Sequence, residues 1–154
     1  MPKQPAIVTS IQGCWICAQV LHHEPRPVVS FSSRSRVIII GQAPGLNAHK
    51  SGVPWDDASG DRLRNWLDVS KAQFYDTGLF GIVPMGFCYP GKGKSGDLPP
   101  RPECAEHWMQ NVLKYLKKRE LTLLIGQYAQ NYFLGEVKKP TLTETVKNWE
   151  EYLP

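Results

Sequence analysis

Cys14, Cys17, Cys88 and Cys104 are all the thiols in the chain, and their spacing reads as a ligand set. Two residues separate Cys14 from Cys17, 70 lie between Cys17 and Cys88, and 15 lie between Cys88 and Cys104. A Cys-x-x-Cys places two thiolates on one turn, and two more from distant loops complete four-coordinate sulfur ligation. Zinc and a 4Fe-4S cluster both satisfy that chemistry, and spacing alone does not choose between them. The plainer alternative makes Cys88 and Cys104 small buried hydrophobes and the first pair incidental. A thiol redox role for Cys14-Trp15-Ile16-Cys17 is disfavoured, because the pair precedes the sheet instead of following a strand at a helix start.

A second place where chemistry is possible is Gly41-Gln42-Ala43-Pro44-Gly45, directly after the apolar run Val37 to Ile40. Open α/β sheets place ligands at the carboxyl ends of buried strands, and glycines there let backbone amides approach a bound group. A tight turn without a ligand is the bland reading. Downstream, Trp55 is followed by Asp56 and Asp57, an aromatic face beside two carboxylates. Lys92, Lys94, Arg101 and Lys50 are candidate phosphate contacts, with Ser95 and glycines as further donors; the alternative is a solvated basic loop.

The elements that must hold these residues follow from periodicity. Val37 to Ile40 is β-branched throughout and stops at a glycine, the pattern of a strand buried on both faces of a parallel sheet. Leu63, Trp66 and Leu67 recur at helical spacing between Ser59 and Leu67, with Asp61, Arg62 and Arg64 directed elsewhere. Phe80 to Val83 reads as a second strand, followed by a long surface loop rich in Gly, Pro and Lys. Pro102 to Lys118 carries Trp108, Val112, Tyr115 and Leu116 at helical spacing, with Lys114, Lys117 and Lys118 where they suit the helix dipole. Leu121 to Ile125 is a third buried strand and Gln127 to Leu134 a short helix closed by Gly135. Lys138 to Thr143 is expected as a loop or edge strand, before a last helical segment from Glu144 to Tyr152. Residues 1 to 35, with Pro2, Pro5, Pro25 and Pro27, read as a loop-rich leading segment with about one helical turn. Alternating strands and helices predict a three-layer α/β/α sandwich with a mainly parallel central sheet.

With 154 residues the chain is expected to form a single domain. Its formal charge of +4 permits a polyanion-binding surface without demanding one. No apolar run approaches the roughly 18 to 20 residues of a membrane span. No basic start followed by an apolar stretch opens the chain, so a cytoplasmic monomer is expected, with its thiols reduced.

The cysteine spacing, together with Gly41 to Leu67 and with Leu124-Ile125-Gly126 through Phe133-Leu134-Gly135, resembles the uracil-DNA glycosylase superfamily. Within it the chain is most similar to the iron-sulfur branch, family four. The resemblance implies a DNA-repair hydrolase that flips uracil or a related deaminated base out of DNA and removes it. It implies a structural 4Fe-4S cluster on Cys14, Cys17, Cys88 and Cys104, with structural zinc as the alternative. Position by position, it sets Gly41, Gln42, Ala43, Pro44 and Gly45 against sugar and base, and puts Trp55 where the family has a stacking aromatic.

Three departures follow. Gln42 and Ala43 occupy positions where relatives carry an acidic residue, so Asp56 or Asp57 is expected to serve with Gln42 in catalysis. Pro84 stands where the resemblance places a base-reading asparagine, so recognition is expected to fall to the backbone near Met85 or to another residue. The family's second motif, a His-Pro loop, has no match before Pro154; His49, His107, His22 and His23 do not replace it. The chain is therefore expected to be truncated at its carboxyl end or divergent. The competing function is a nucleic-acid-binding protein, weak or inactive in catalysis, that keeps the fold and the cluster.

Overall fold

The computed structural model describes residues 4–154; Pro2 of the leading segment lies outside the described residues. Three parallel strands form the sheet, β1 (Val37–Ile40), β2 (Phe80–Ile82) and β5 (Leu121–Leu124), in the order β2-β1-β5. Val37 pairs with Phe80 on one side and Leu121 on the other, so all three strands run in step and end at one level. Loops leaving that edge therefore share one rim, with the loop from the central strand between the others.

The side-chain period of two sorts β1 between two cores. Ile38 and Ile40 pack with Met109 and Val112 of α5 (Pro102–Tyr115), with Leu116 just beyond it, and with Val8 and Ile11 of α1 (Ala6–Gln12). Ile39 faces the other way, onto Leu63 of α3 (Ala58–Leu67) and Phe74 of α4 (Lys71–Phe74). All three isoleucines are fully buried, each worth about 1.5–3 kcal/mol of burial. Helices thus cover both faces of a parallel sheet, as the sequence predicts.

Local signals account for the helix ends. Asp57 caps α3 by accepting from the Gly60 amide, and Ser70 with Gln73 forms a capping box on α4. Thr141 and Glu144 do the same for α7 (Leu142–Lys147). Pro102 opens α5 at a position where its missing N–H costs nothing. Helix α6 (Gln127–Leu134) has the predicted bounds.

Several expectations are corrected. The leading segment holds the two-turn helix α1, seated by Val8 and Ile11, instead of about one turn. The short helices α2 (Leu46–Ser51) and α4 lie where the periodicity predicts no element. The Lys-rich loop contains a small hairpin, β3 (Lys92–Gly93) with β4 (Gly96–Asp97). Helix α5 ends at Tyr115, because buried Leu116 turns the chain; Lys117 and Lys118 lie beyond it. Of the two readings of Lys138 to Thr143, the loop holds as far as Thr141, while the final helical segment starts earlier, at Leu142, and divides into α7 and a 3-10 turn at Trp149–Tyr152. In α3 the buried set is Gly60, Leu63 and Arg64, so Trp66 is 74% exposed while Arg64 is 5% exposed. The inner face is rotated from the one that hydrophobicity suggests.

Among the described residues strand β5 pairs only with β1, and a groove of about 1120 Å³ lies along its outer side, lined by Trp55, Trp66, Phe133 and Trp149 among others. No helix among the described residues is long and apolar enough to cross a membrane.

Candidate functional site

The four cysteines come from three separate places. Cys14 and Cys17 follow Gly13 at the end of α1, Cys88 lies in the segment after β2, and Cys104 sits in the first turn of α5. All four line one narrow apolar pocket that Leu21, Pro25 and Trp108 help to close. Two donors point at sulfur: the Phe87 amide to Cys104 Sγ at 3.2 Å and Trp108 Nε1 to Cys14 Sγ at 3.4 Å. Burial pushes the Cys88 thiol up to about 11 and the Cys104 thiol to about 12. Burial, then Glu103, raises Cys17, while Arg101 opposes them. A metal centre would take these sulfurs as thiolates, displacing the protons that burial favours. Among the described residues, no three His, Cys, Asp or Glu side chains close on a single ion-sized point. The thiols form walls instead.

Arg101 belongs to this pocket. Its Nε donates to Glu103 Oε2 at 3.1 Å, and its guanidinium lies beside Cys17. Of the four basic residues singled out for phosphates, Lys50, Lys92 and Lys94 are exposed, and Arg101 is half-buried and paired.

The Gly41 loop leaves β1 at the shared rim and is bound to the segment after β2. The Met85 amide donates to the Gly41 carbonyl at 2.9 Å, and the Gly86 amide to the Gln42 carbonyl at 3.0 Å. Buried Met85 therefore lies beside the loop, but its N–H is already used to hold it. Pro44 is buried, Ala43 half-buried, and Gly45 starts α2. The Gln42 side chain makes one long contact, Nε2 to the Leu98 carbonyl at 3.5 Å.

Trp55 closes over this loop: a Cβ placed on Gly41 would lie 3.1 Å from Trp55 Cζ2, so only glycine lets the indole come so near. Asp57 uses one carboxylate oxygen, Oδ1, to cap α3, while Oδ2 would lie 3.7 Å from a Cβ on Gly45. Asp56 is exposed, with no hydrogen bond among the described residues. Gly41, Gln42, Gly45, Trp55, Asp57 and Met85 are thus brought together at one corner.

Sequence reasoning missed a second carboxylate here. Asp97 Oδ2 would lie 3.9 Å from the same Cβ on Gly45, carried there by the β3–β4 hairpin that also bears Lys92 and Lys94. Burial, then Asp97, raises the Tyr89 hydroxyl above its ordinary range. The Gly-Lys-Gly-Lys-Ser-Gly context of Asp97 gives no periodicity from which this placement follows.

His49 packs on His23 and Tyr89, with ring centroids 5.4 and 5.8 Å away. Its Nδ1 is buried without a partner among the described residues. Burial, then His23 and Arg26, holds its pKa below the ordinary value. His107 sits edge-on to Trp108, beside the cysteine pocket.

A glycine loop on the central strand, an aromatic laid on its first glycine and carboxylates at its far end thus share one corner of the rim. The family model described as the Uracil DNA glycosylase superfamily matches residues 29–154, which include the Gly41 loop, Trp55, Asp57, Cys88 and Cys104. The chain belongs to the uracil-DNA glycosylase superfamily, which carries with it a glycosylase-like function and DNA as the partner.

Proposed function

We propose that this protein removes uracil or a related deaminated base from DNA, and that Cys14, Cys17, Cys88 and Cys104 hold a structural 4Fe-4S cluster. The observation that carries the first part is the Trp55 indole lying on Gly41 at the rim, with Asp57 Oδ2 and Asp97 Oδ2 at the other end of the same loop. A base inside a duplex is out of reach, so the enzyme takes it out of the stack and recovers that cost in the pocket. Stacking on Trp55 contributes about 1–3 kcal/mol to the recovery.

Breaking the N-glycosidic bond leaves positive charge on the sugar and negative charge on the departing base. Asp57 is the better placed of the neighbouring aspartates, since its Oδ2 is not engaged by the cap; it steadies the sugar cation or orients the attacking water. Gln42, held by one long hydrogen bond, is free to turn its amide toward the base. Donors aimed at the leaving base act where charge develops in the transition state, which is where they lower the barrier most.

For the cysteines, four thiols around one apolar pocket with N–H donors to two sulfurs support four-coordinate sulfur ligation, and the resemblance of their spacing to the iron-sulfur branch favours a cluster over zinc. When bound, the cluster supplies cross-linking of α1, the segment after β2 and α5. It does not enter the hydrolysis.

A second reading is favoured by the histidines: His49 packs on His23 and Tyr89, and His107 on Trp108, so a catalytically weak nucleic-acid-binding protein is the alternative. Abasic-site formation separates the two. Alkali-sensitive cleavage at a single uracil in a labelled oligonucleotide, lost in Asp57→Asn, supports the enzyme; tight binding without cleavage supports the alternative.

A further inference from the structure

Trp55 has φ 57, in the left-handed region, and shares that property among described non-glycine residues only with Asp68. Asp68 is the C-cap of α3, where such a conformation is ordinary. Trp55 ends no helix, and a bulky residue there is an outlier that its surroundings must hold in place.

Those surroundings converge on two adjacent carbonyls, Pro54 O and Trp55 O. Arg64 Nη1 donates to Trp55 O at 3.1 Å and lies 3.2 Å from Tyr75 Oη. Tyr75 Oη donates to the preceding carbonyl, Pro54 O, at 2.7 Å and lies 3.4 Å from Trp55 O. The guanidinium carbon sits 5.1 Å from the Phe74 ring centre and 5.6 Å from that of Tyr75. A buried cation persists only when its donors are satisfied, and here two acceptors belong to the clamp and the third is the exposed Asp61. Gly60 leaves the room: a Cβ there would meet Trp55 O at 1.8 Å.

We propose that Arg64 and Tyr75 are positioning residues that clamp the Trp55 peptide in its left-handed conformation and so preset the indole as the stacking wall of the base pocket. The inference rests on the proposed function and names what makes its aromatic wall rigid. Preorganisation of this kind strengthens binding by removing the cost of ordering the side chain. Releasing the peptide therefore costs part or all of one base–aromatic stack, about 5- to 150-fold in affinity.

The test uses the full chain and single-stranded oligonucleotides bearing one 2′-fluoro-2′-deoxyuridine, whose glycosidic bond resists cleavage, or thymidine at that position. Fluorescence anisotropy gives both affinities for wild type, Tyr75→Phe, Trp55→Ala and the double variant. Tyr75→Phe is expected to lower the uracil affinity about tenfold, as loss of one bond to a charged partner implies, with thymidine affinity unchanged. In the Trp55→Ala background the same change has no further effect. Equal losses on both oligonucleotides, or a full further loss without Trp55, would overturn the clamp, as would unchanged uracil preference in Tyr75→Phe. If Tyr75→Phe melts below the assay temperature, Arg64→Lys is compared in the same way. A wild type without uracil preference defeats the functional reading first and the clamp with it, and that arm is read separately.

Discussion

Replacing Gly60 with alanine sets two expectations of opposite sign against each other. Helix propensity alone makes Gly→Ala inside α3 stabilising by about 1 kcal/mol. The structure reverses this. The new Cβ would lie 1.8 Å from the Trp55 carbonyl oxygen and 3.0 Å from Arg64 Nη2, where real contacts to Cβ essentially never fall below 3.0 Å. More than an ångström must be found between α3 and a backbone atom. Moving the Pro54–Trp55 segment weakens the hydrogen bonds from Arg64 to Trp55 O and from Tyr75 to Pro54 O, about 1 kcal/mol each, and leaves a buried guanidinium short of an acceptor, about 1–3 kcal/mol more. Overpacking adds about 1–3 kcal/mol. Allowing for partial relaxation and the propensity gain, the net loss is about 2–5 kcal/mol, or about 4–20 °C in Tm for a chain of this size. Urea midpoints and scanning calorimetry, with exposed Ser59→Ala as the same-helix control, measure it. A Gly60→Ala protein as stable as wild type would refute the reasoning from close approach.

Four other outcomes are expected. Cys88→Ala should purify without iron or sulfide and melt several degrees lower, since the pocket joins α1 to α5; wild type carrying one zinc and no iron contradicts the cluster. Asp57→Asn should fold normally, because asparagine also caps helices, and lose at least about tenfold in excision, while Asp56→Asn keeps wild-type rates. His49 is held below its ordinary value of 6.5, so the unfolded chain binds the extra proton; stability is complete above that value and falls as pH drops below it. Tm measured at pH 7.5 and pH 5 should fall less in His49→Gln than in wild type. Removing both Lys92 and Lys94 should weaken uracil and thymine oligonucleotides alike and reduce the salt slope on single strands by about 1.4, read from titrations at several salt concentrations.

How far the fold can be read from sequence depends on whether local pattern or distant partners decide a residue's place. Val37 to Ile40 is apolar on both faces, and the structure divides it between two cores. Gln127 to Leu134 is bounded by glycines and needs no tertiary help to be seen. The cysteines are legible as a set because four thiols in one chain have few other uses, and all four line one pocket. Arg64 and Trp66 invert their expected exposure because Trp55 O, Pro54 O and Tyr75 supply a polar seat that hydrophobicity does not register. Ser70-x-x-Gln73 and Thr141-x-x-Glu144 are capping boxes visible in the sequence, yet the helices they open are too short for periodicity to show. In the site, Gly41, Trp55 and Asp57 are brought together from positions near in sequence. Asp97 arrives from a hairpin whose register no local pattern announces, and the commitment of the Met85 amide to Gly41 depends on strand order.

The central claim, base removal at the Gly41–Trp55 corner of a cluster-bearing glycosylase fold, is tested most directly by assaying free uracil. Anaerobically purified protein is incubated with a single-stranded oligonucleotide bearing one uracil, with iron, sulfide and zinc measured on the same sample. The account predicts released uracil, abolished in Asp57→Asn, from protein carrying iron and sulfide in equal amounts. Folded protein with iron and sulfide bound that binds the oligonucleotide and releases no uracil would contradict it.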